Sequence, residues 1–393
     1  MKRFLAKIKP YSVFLLFFVV VLMFFPENLS KSSETDRNTI ITTVGVDKVD
    51  DKFSVTFLSF TPTASKEFVE VYDVVNEEAD SLSEALRKME LNLGKVVGFY
   101  HTENLIIGRE AQDDIVEILD YFVKEKTLAF SSVLVGTEGS AKEFLTKVHE
   151  KNENPSNVIT ELMIYDSKYI YFNKPTIEVF FNGYYSDMKS SFIGTLQLNE
   201  EEASQGNQQG GGDSESESKT SRKIIKNTGE IRLFKDGQMV YKMTPQEVTG
   251  LNWFQKNITD GFIKTEQDGK IKVYHMDNKN INQKVTMEDN QPIYKLDLFV
   301  NIDKQELDDG KEKHIEVNKL SNEEKELIKE RIRNEIKNSI AKIVEYKVDV
   351  IGLYDKFYRD ERRKFKKFLD TLQNKDDFLE KVIFDIQIDL LGD

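Results

Sequence analysis

The stretch that decides the fold class is NLIIGREAQDDIVEILDYFVK, residues 104–124. Its first five residues, NLIIG, form a short apolar run, which predicts a buried strand. From Asp114 onward the apolar residues recur at helical spacing, and Ile115, Ile118 and Phe122 fall on one stripe. A strand followed directly by an amphipathic helix indicates a fold that mixes both kinds of element.

The same order continues on both sides of this stretch. Residues 81–93 have helical spacing and begin with a serine that can cap a helix. Downstream, residues 131–136 (SSVLVG) predict another strand, and residues 140–149 predict another helix. Strand and helix therefore alternate over this region, which is typical of an α/β or α+β unit.

Upstream lies a predicted strand meander. Residues 40–46 (IITTVGV) begin a strand, and residues 52–60 (KFSVTFLSF) alternate apolar and polar side chains. The polar residues 47–51 between them predict a hairpin turn, and residues 68–75 predict a further strand.

The second half of the chain opens with a predicted hairpin. Residues 230–234 and 238–242 are strand-like, and the Asp236-Gly237 pair between them is a strong hairpin signal. Further strands are predicted at residues 262–266, 271–275 and 294–302.

Helices follow these strands. Residues 322–345 carry a long apolar stripe of Ile and Leu, with Ser321 as the capping residue and acids in the first turn. A second helix is predicted at residues 360–373, and residues 382–390 (VIFDIQIDL) alternate as a closing strand. We therefore expect a mostly antiparallel sheet carrying two helices in this half.

A low-complexity segment separates the two halves. Residues 200–222 are rich in Gly, Ser, Gln and acids, so burial cannot offset the entropy of ordering them, and we predict a flexible linker. The predicted organisation is an anchor at 1–26, a tether at 27–39, an α/β part at 40–199, this linker, and an α+β domain at 223–393. The fold class is α+β: a multi-domain extracytoplasmic body with mixed or antiparallel sheets and packed helices.

The N-terminus has the charge pattern of an export signal. Residues 1–10 carry four basic side chains and no acid, and residues 11–25 (YSVFLLFFVVVLMFF) carry no charge. Because a basic flank stays in the cytoplasm, the rest of the chain is expected outside it. Phe24, Phe25 and Pro26 stand where a cleavage site needs small residues, so we predict a retained transmembrane or signal-anchor helix.

Composition excludes several function classes. The net charge of −13 argues against a general nucleic-acid binder, which needs positive charge to neutralise phosphates. The chain has no cysteine, which removes disulfides, thiol nucleophiles, thiolate metal sites and a lipoprotein anchor.

No arrangement of residues predicts catalysis. The four histidines lack zinc-ligand spacing, and neither a nucleophile elbow nor a phosphate-binding loop is present. His101 lies two residues from Glu103, a pairing that is more often an exposed turn than a catalytic dyad. We therefore predict no catalytic, cofactor-binding or metal-binding residues, and no enzymatic activity.

One basic segment stands out in this acidic chain. Residues 355–369 (DKFYRDERRKFKKFL) hold seven basic and three acidic side chains among aromatics. The favoured interpretation is an amphipathic helix with Phe365, Phe368 and Leu369 inward and a solvated basic face. The alternative is a docking face for an acidic partner or for lipid headgroups.

Three groups of motifs occur in a fixed order along the exported body. The first is residues 43–47 (TVGVD), followed by residues 99–101 (FYH) and 104–110 (NLIIGRE). The second is residues 229–240, followed by Glu247 and by residues 250–253 (GLNW). The third is residues 348–353 (VDVIGL), Tyr358-Arg359, a basic helix and a final strand ending in Gly392.

In this order, over roughly residues 40–393, the chain resembles the Ger(x)C (GerAC-like) family of spore germination proteins. The resemblance implies the C subunit of a nutrient germinant receptor, needed for its assembly or signalling. It would stand on the outer face of the inner spore membrane, with polytopic A and B subunits as partners. The family has no known catalytic residues, so none is assigned here.

Two features depart from the family pattern. Members end their signal in a lipobox with an acylated Cys, which this chain lacks, so a single N-terminal anchor is expected instead. The insert at residues 200–222 is also unusually long and acidic. The alternative function is a membrane-anchored extracytoplasmic solute-binding or envelope-binding protein.

Overall fold

A computed structural model describes most of the chain beyond residue 37. The described residues are 38–61, 71–126, 128–151, 154–169, 175–199, 225–256, 258, 260–267, 270–308, 313–316 and 320–391. The predicted anchor at 1–26, the tether up to residue 37 and the linker at 200–222 lie outside the described residues. Within the described ranges, no helix is both long enough and apolar enough to cross a membrane.

Nine strands of the described chain form one sheet in the order β3-β2-β1-β5-β6-β7-β8-β9, with β4 also pairing with β1. β1, β5, β6 and β7 run parallel in its centre, and antiparallel strands extend it on both sides. The strands are β1 (Asn38–Val49), β2 (Lys52–Thr61), β3 (Val71–Ala79), β4 (Val96–Gly98), β5 (Asn104–Ile107), β6 (Val133–Thr137), β7 (Ser190–Leu198), β8 (Ile225–Lys235) and β9 (Gln238–Met243).

Helices cover both faces of this sheet, as a partly parallel sheet requires. They are α1 (Leu82–Leu93), α2 (Ile115–Lys126), α3 (Ala141–Lys151), α4 (Pro155–Tyr169) and α5 (Ile177–Tyr184). The apolar side chains of α1, α2 and α5 share one buried cluster, and those of α3 and α4 share another. The sequence predicted α1, α2 and α3, whereas α4 and α5 were not predicted.

The hairpin expected to open the second half belongs to the first sheet instead. β8 pairs antiparallel with β7, from Ser190↔Lys235 to Leu198↔Ile225. The turn itself is as predicted, with positive φ at Asp236 and Gly237. The expected domain start at residue 223 therefore does not coincide with the boundary between the sheets, which falls after β9.

The second sheet holds five strands of the described chain in the order β10-β11-β12-β13, with β14 parallel beside β12. The strands are β10 (Gly261–Gln267), β11 (Lys270–Glu288), β12 (Gln291–Asp308), β13 (Lys313–Glu316) and β14 (Ile383–Leu391). All neighbours except β14 are antiparallel, as predicted for this half. β11 and β12 are much longer than their predicted strands, because both continue to a tight turn at Asp289 and Asn290.

Five helices accompany this sheet in the described ranges. They are α6 (Pro245–Asn252), α7 (Asn322–Glu345), α8 (Leu353–Asp360), α9 (Arg362–Leu369) and α10 (Phe378–Lys381). α7 has the predicted bounds, and Ser321 and Glu324 form a reciprocal capping box at its start.

The helix predicted at residues 360–373 is present as α9 but ends earlier, and a separate helix, α8, precedes it. The chain forms α8 and α9 with a break at Glu361, where the backbone leaves the helical region. In one continuous helix, Phe357 and Phe365 would lie about 12 Å apart along the axis. Their ring centroids are 5.4 Å apart, and both rings also contact Phe378. The break lets both rings enter one buried cluster.

α7 joins the two halves. Its residues Ile328, Ile332 and Ile336 pack in the core of the second sheet, whereas Ile343 packs in a cluster with residues of β8, β9 and α6. α6 crosses α7 at Gly250, where a Cβ atom would lie 2.0 Å from the carbonyl oxygen of Glu335. Only glycine fits this crossing without displacing the α7 backbone.

Candidate functional site

A pair of compensating irregularities places a lysine inside the second half. Between β11 and β12 the register shifts at Met276, and Asp277 has no partner on β12. Up to that point the even-numbered residues of β11, such as Tyr274 and Met276, are buried, whereas beyond it odd-numbered residues such as Ile281 are buried. This bulge turns Lys279 inward, where simple alternation would have placed it in solvent.

The ammonium group of Lys279 is enclosed between β11 and the end of α6. The side chain is 5% exposed. Its Nζ donates a hydrogen bond of 2.7 Å to the carbonyl oxygen of Asn252 and lies 5.4 Å from the centroid of the Trp253 ring. Burial lowers the pKa of Lys279 to about 7, since desolvation disfavours the charged form.

Lys279 lines a cleft of about 500 Å³ between α6, α7, β10 and β11. Such a volume is typical of a small-molecule site. Its apolar wall is formed by Ile258, Phe262, Ile263 and Met276. Phe262 is 55% exposed, which is unusual for a large aromatic side chain and places its ring at the mouth of the cleft.

The carboxylates of the cleft are already engaged. Glu335 accepts a hydrogen bond of 3.0 Å from the indole nitrogen of Trp253 and one of 2.7 Å from Nε of Arg331. At the rim, Asp260 lies 2.9 Å from Nε2 of His275. Lys279 differs from both because, among the described residues, the hydrogen-bond acceptor of its ammonium group is a neutral carbonyl oxygen.

Sequence reasoning missed Lys279 as a site residue and named Trp253 only within a motif. The sequence does carry a signal for this lysine. Along residues 273–287 the apolar side chains change from even-numbered to odd-numbered positions. Such a change across Asp277-Asn278 predicts a bulge.

The pair noted in the sequence, His101 and Glu103, lies between β4 and β5 of the first sheet. Both residues are exposed and line a cleft of about 660 Å³ that residues of β1, β2, β3 and β6 also line. The carboxylate of Glu103 accepts hydrogen bonds of 3.3 Å from Ser156 and Thr160, both at the start of α4. Among the described residues, no hydrogen bond or ion pair joins His101 to Glu103.

The basic segment forms α8 and α9. Phe365 and Phe368 are buried as predicted, and Leu369 packs against the same core. Arg362, Arg363, Lys366 and Lys367 are exposed, and the cations of Arg362 and Lys366 lie 5.1 and 5.5 Å from the Tyr358 ring centroid. Hydrogen bonds from Lys366 and Arg362 lower the pKa of Tyr358. Docking of this face to a partner or to lipid stays a prediction.

Residues of the TVGVD motif hold α3 on the first sheet. Asp47 accepts hydrogen bonds from the backbone N–H groups of Ala141 and Lys142, at 2.7 and 2.8 Å, and so caps the start of α3. Gly108 lies against this carboxylate, because a Cβ atom there would be 1.8 Å from Oδ1 of Asp47.

Residues of the VDVIGL motif hold α8. The buried carboxylate of Asp349 accepts hydrogen bonds from the N–H groups of Leu353 and Tyr354, at 2.9 and 2.8 Å. The backbone N–H of Asp349 donates to Ser190 at the start of β7. Burial raises the pKa of Asp349. This one residue therefore caps a helix of the second half and contacts the first sheet.

Within the described part of the chain, no group of three or more His, Cys, Asp or Glu residues is placed to hold a metal ion. What the quoted motifs share is a structural role: caps, a helix crossing and the wall of a cleft. Together with the fold, these structural roles are typical of a class of protein that is defined by its architecture.

That class is the spore germination proteins. The family model described as the spore germination protein N-terminal domain matches residues 31–198, and the model described as spore germination B3/GerAC like, C-terminal, matches residues 230–390. The chain belongs to the Ger(x)C family, the family of germinant-receptor C subunits.

Two known proteins illustrate the likeness. The chain is 24% identical over 388 residues to spore germination protein KC of Bacillus subtilis (strain 168), covering 92% of this chain and 89% of that protein. It also superposes on the crystal structure of the GerBC protein with a TM-score of 0.53 at 16% identity, covering 89% of this chain and 97% of that one. The mixed α+β fold is therefore the fold of that protein.

Proposed function

We propose that this protein is the C subunit of a nutrient germinant receptor, without catalytic chemistry of its own and needed for the receptor to assemble or signal. The observation that carries the proposal is that both domain models of spore germination proteins match the chain in order, over residues 31–198 and 230–390. Its partners are the polytopic A and B subunits. It is held at the inner spore membrane by one N-terminal anchor, with the body on the outer face.

The junction between the halves supports a role in passing on a structural change. α7 packs in both cores, and α6 crosses it without room for a side chain at Gly250. Because packed elements move together, a displacement of one sheet reaches the other through α7.

A second candidate is a membrane-anchored extracytoplasmic solute-binding or envelope-binding protein. The cleft beside Lys279 favours it, since its volume and apolar wall suit a small ligand.

Isolation of the complex from spores separates the two candidates. A C-terminal affinity tag is placed on the chain, the inner spore membrane is solubilised, and the proteins that co-purify are identified. We expect two polytopic proteins encoded beside this gene. Recovery of the chain without any polytopic protein, while an unrelated tagged complex from the same membrane stays intact, would contradict the receptor role.

A further inference from the structure

Within the described residues, the ammonium group of Lys279 has more N–H donors than hydrogen-bond acceptors. The ammonium nitrogen carries three N–H donors, and its one acceptor within the described residues is the carbonyl oxygen of Asn252, 2.7 Å away. The Trp253 ring offers a π face but no lone pair. A buried ammonium group in this position is costly unless an anion completes its shell.

The other charged groups of the cleft do not supply that anion. Glu335 is held by Trp253 and Arg331, and Asp260 is held by His275. Both carboxylates therefore bind neighbouring side chains on the wall and rim of the cleft. Neither of them binds the ammonium group of Lys279. Lys264, which also lines the cleft, adds a further positive charge.

The rest of the cleft wall is apolar and favours a ligand with an apolar body. Phe262, Ile263 and Met276 present carbon surface to the cleft, and Phe262 keeps 55% of its surface exposed. Contact with a ligand would remove that surface from water, which favours binding.

We propose that this cleft binds a small molecule with one carboxylate on an apolar body, with the carboxylate at Lys279 and the body against Phe262. This inference does not depend on the receptor assignment, because it rests only on the contacts of the cleft.

The chain supplies its own optical probe for the test. Trp253 is the one tryptophan of the sequence, and it lies against the ammonium group. The full-length chain, purified in dodecylmaltoside, is titrated with hexanoate and 3-phenylpropionate while tryptophan fluorescence is recorded. We expect a saturable change with 3-phenylpropionate, and affinity weaker by about tenfold or more for its uncharged analogue 3-phenylpropionamide, which lacks the charge-assisted hydrogen bond.

Two variants assign the effect to the cleft. Lys279→Met removes the ammonium group but keeps an unbranched apolar chain, so it should lower the affinity for the carboxylate by about tenfold or more and leave the amide unaffected. Phe262→Ala changes an exposed wall residue and should weaken both ligands. Lys284→Met alters an exposed lysine of the same strand and serves as the matched control.

Two results would overturn the proposal. One is the lack of any saturable signal with either carboxylate up to about 10 mM, the weak end of specific small-ligand binding. The other is equal carboxylate affinity in the wild-type chain and Lys279→Met.

Discussion

The ammonium nitrogen of Lys279 lies 5.4 Å from the centroid of the Trp253 ring, in a site where burial lowers the lysine pKa from 10.5 to about 7. Between these two pH values the unfolded chain binds a proton that the folded chain does not. Raising the pH through this window therefore stabilises the folded state.

We predict that Lys279→Met stabilises the protein near pH 7.5 and that this gain shrinks as the pH rises towards about 9.5. The gain near pH 7.5 should be on the order of a few kcal/mol, because at this pH the wild-type chain releases the Lys279 proton when it folds and the variant has no such proton to release. Urea unfolding followed by Trp253 fluorescence gives the difference at each pH. Asp260, His275 and Glu335 are unchanged, so they cancel in the comparison. A difference that does not vary with pH would show that Lys279 is not buried as described.

The crossing of α6 and α7 makes a second prediction. In Gly250→Ala the new methyl group meets the Glu335 carbonyl oxygen at 2.0 Å and Oγ of Ser339 at 2.1 Å. We expect a loss of about 3 kcal/mol, because overpacking forces the α7 backbone to move. Gly139→Ala is the matched control, since nothing lies within 4 Å of its Cβ position, and it should leave the urea midpoint unchanged. Equal midpoints for the two variants would rule out the tight crossing.

The third prediction concerns the cap of α8. Asp349→Ala leaves the N–H groups of Leu353 and Tyr354 without their acceptors in a buried site, which should cost about 2 kcal/mol. Asp355→Ala removes an exposed carboxylate from the first turn of the same helix and should change stability by less than about 0.5 kcal/mol. Thermal unfolding followed by circular dichroism compares the two. If both behave alike, the Asp349 carboxylate is not the cap.

The fourth prediction concerns the two faces of α9. Phe365→Ala empties a fully buried ring position and should cost about 3–5 kcal/mol. Lys367→Gln alters the exposed basic face and should cost less than about 0.5 kcal/mol. Urea midpoints measure both changes. A large loss in Lys367→Gln would mean that the basic face is part of the core rather than a solvated surface.

The sequence predicted correctly those elements whose signals lie within one short segment of the chain. Ser321, Glu324 and the apolar stripe of α7 lie within one continuous segment, so cap and period together predicted its bounds. The Asp236-Gly237 turn was predicted for the same reason, because its positive φ values are a property of the turn residues themselves.

Tertiary pairing was beyond those signals. Nothing in the β8 sequence says that it pairs with β7 across the intervening segment rather than with β10, so the hairpin was assigned to the wrong sheet. The break at Glu361 likewise depends on Phe378, which is far along the chain and draws Phe357 and Phe365 into one cluster. Lys279 was hidden because a bulge reverses the face on which β11 presents its side chains.

The measurement that tests the central claim most directly is nutrient-triggered germination of spores that lack this gene. The account predicts that deletion abolishes or strongly reduces the response to a particular nutrient germinant, while growth and sporulation proceed normally, and that the wild-type gene restores the response. Unchanged germination of the deletion spores with every nutrient to which the parent strain responds would contradict it.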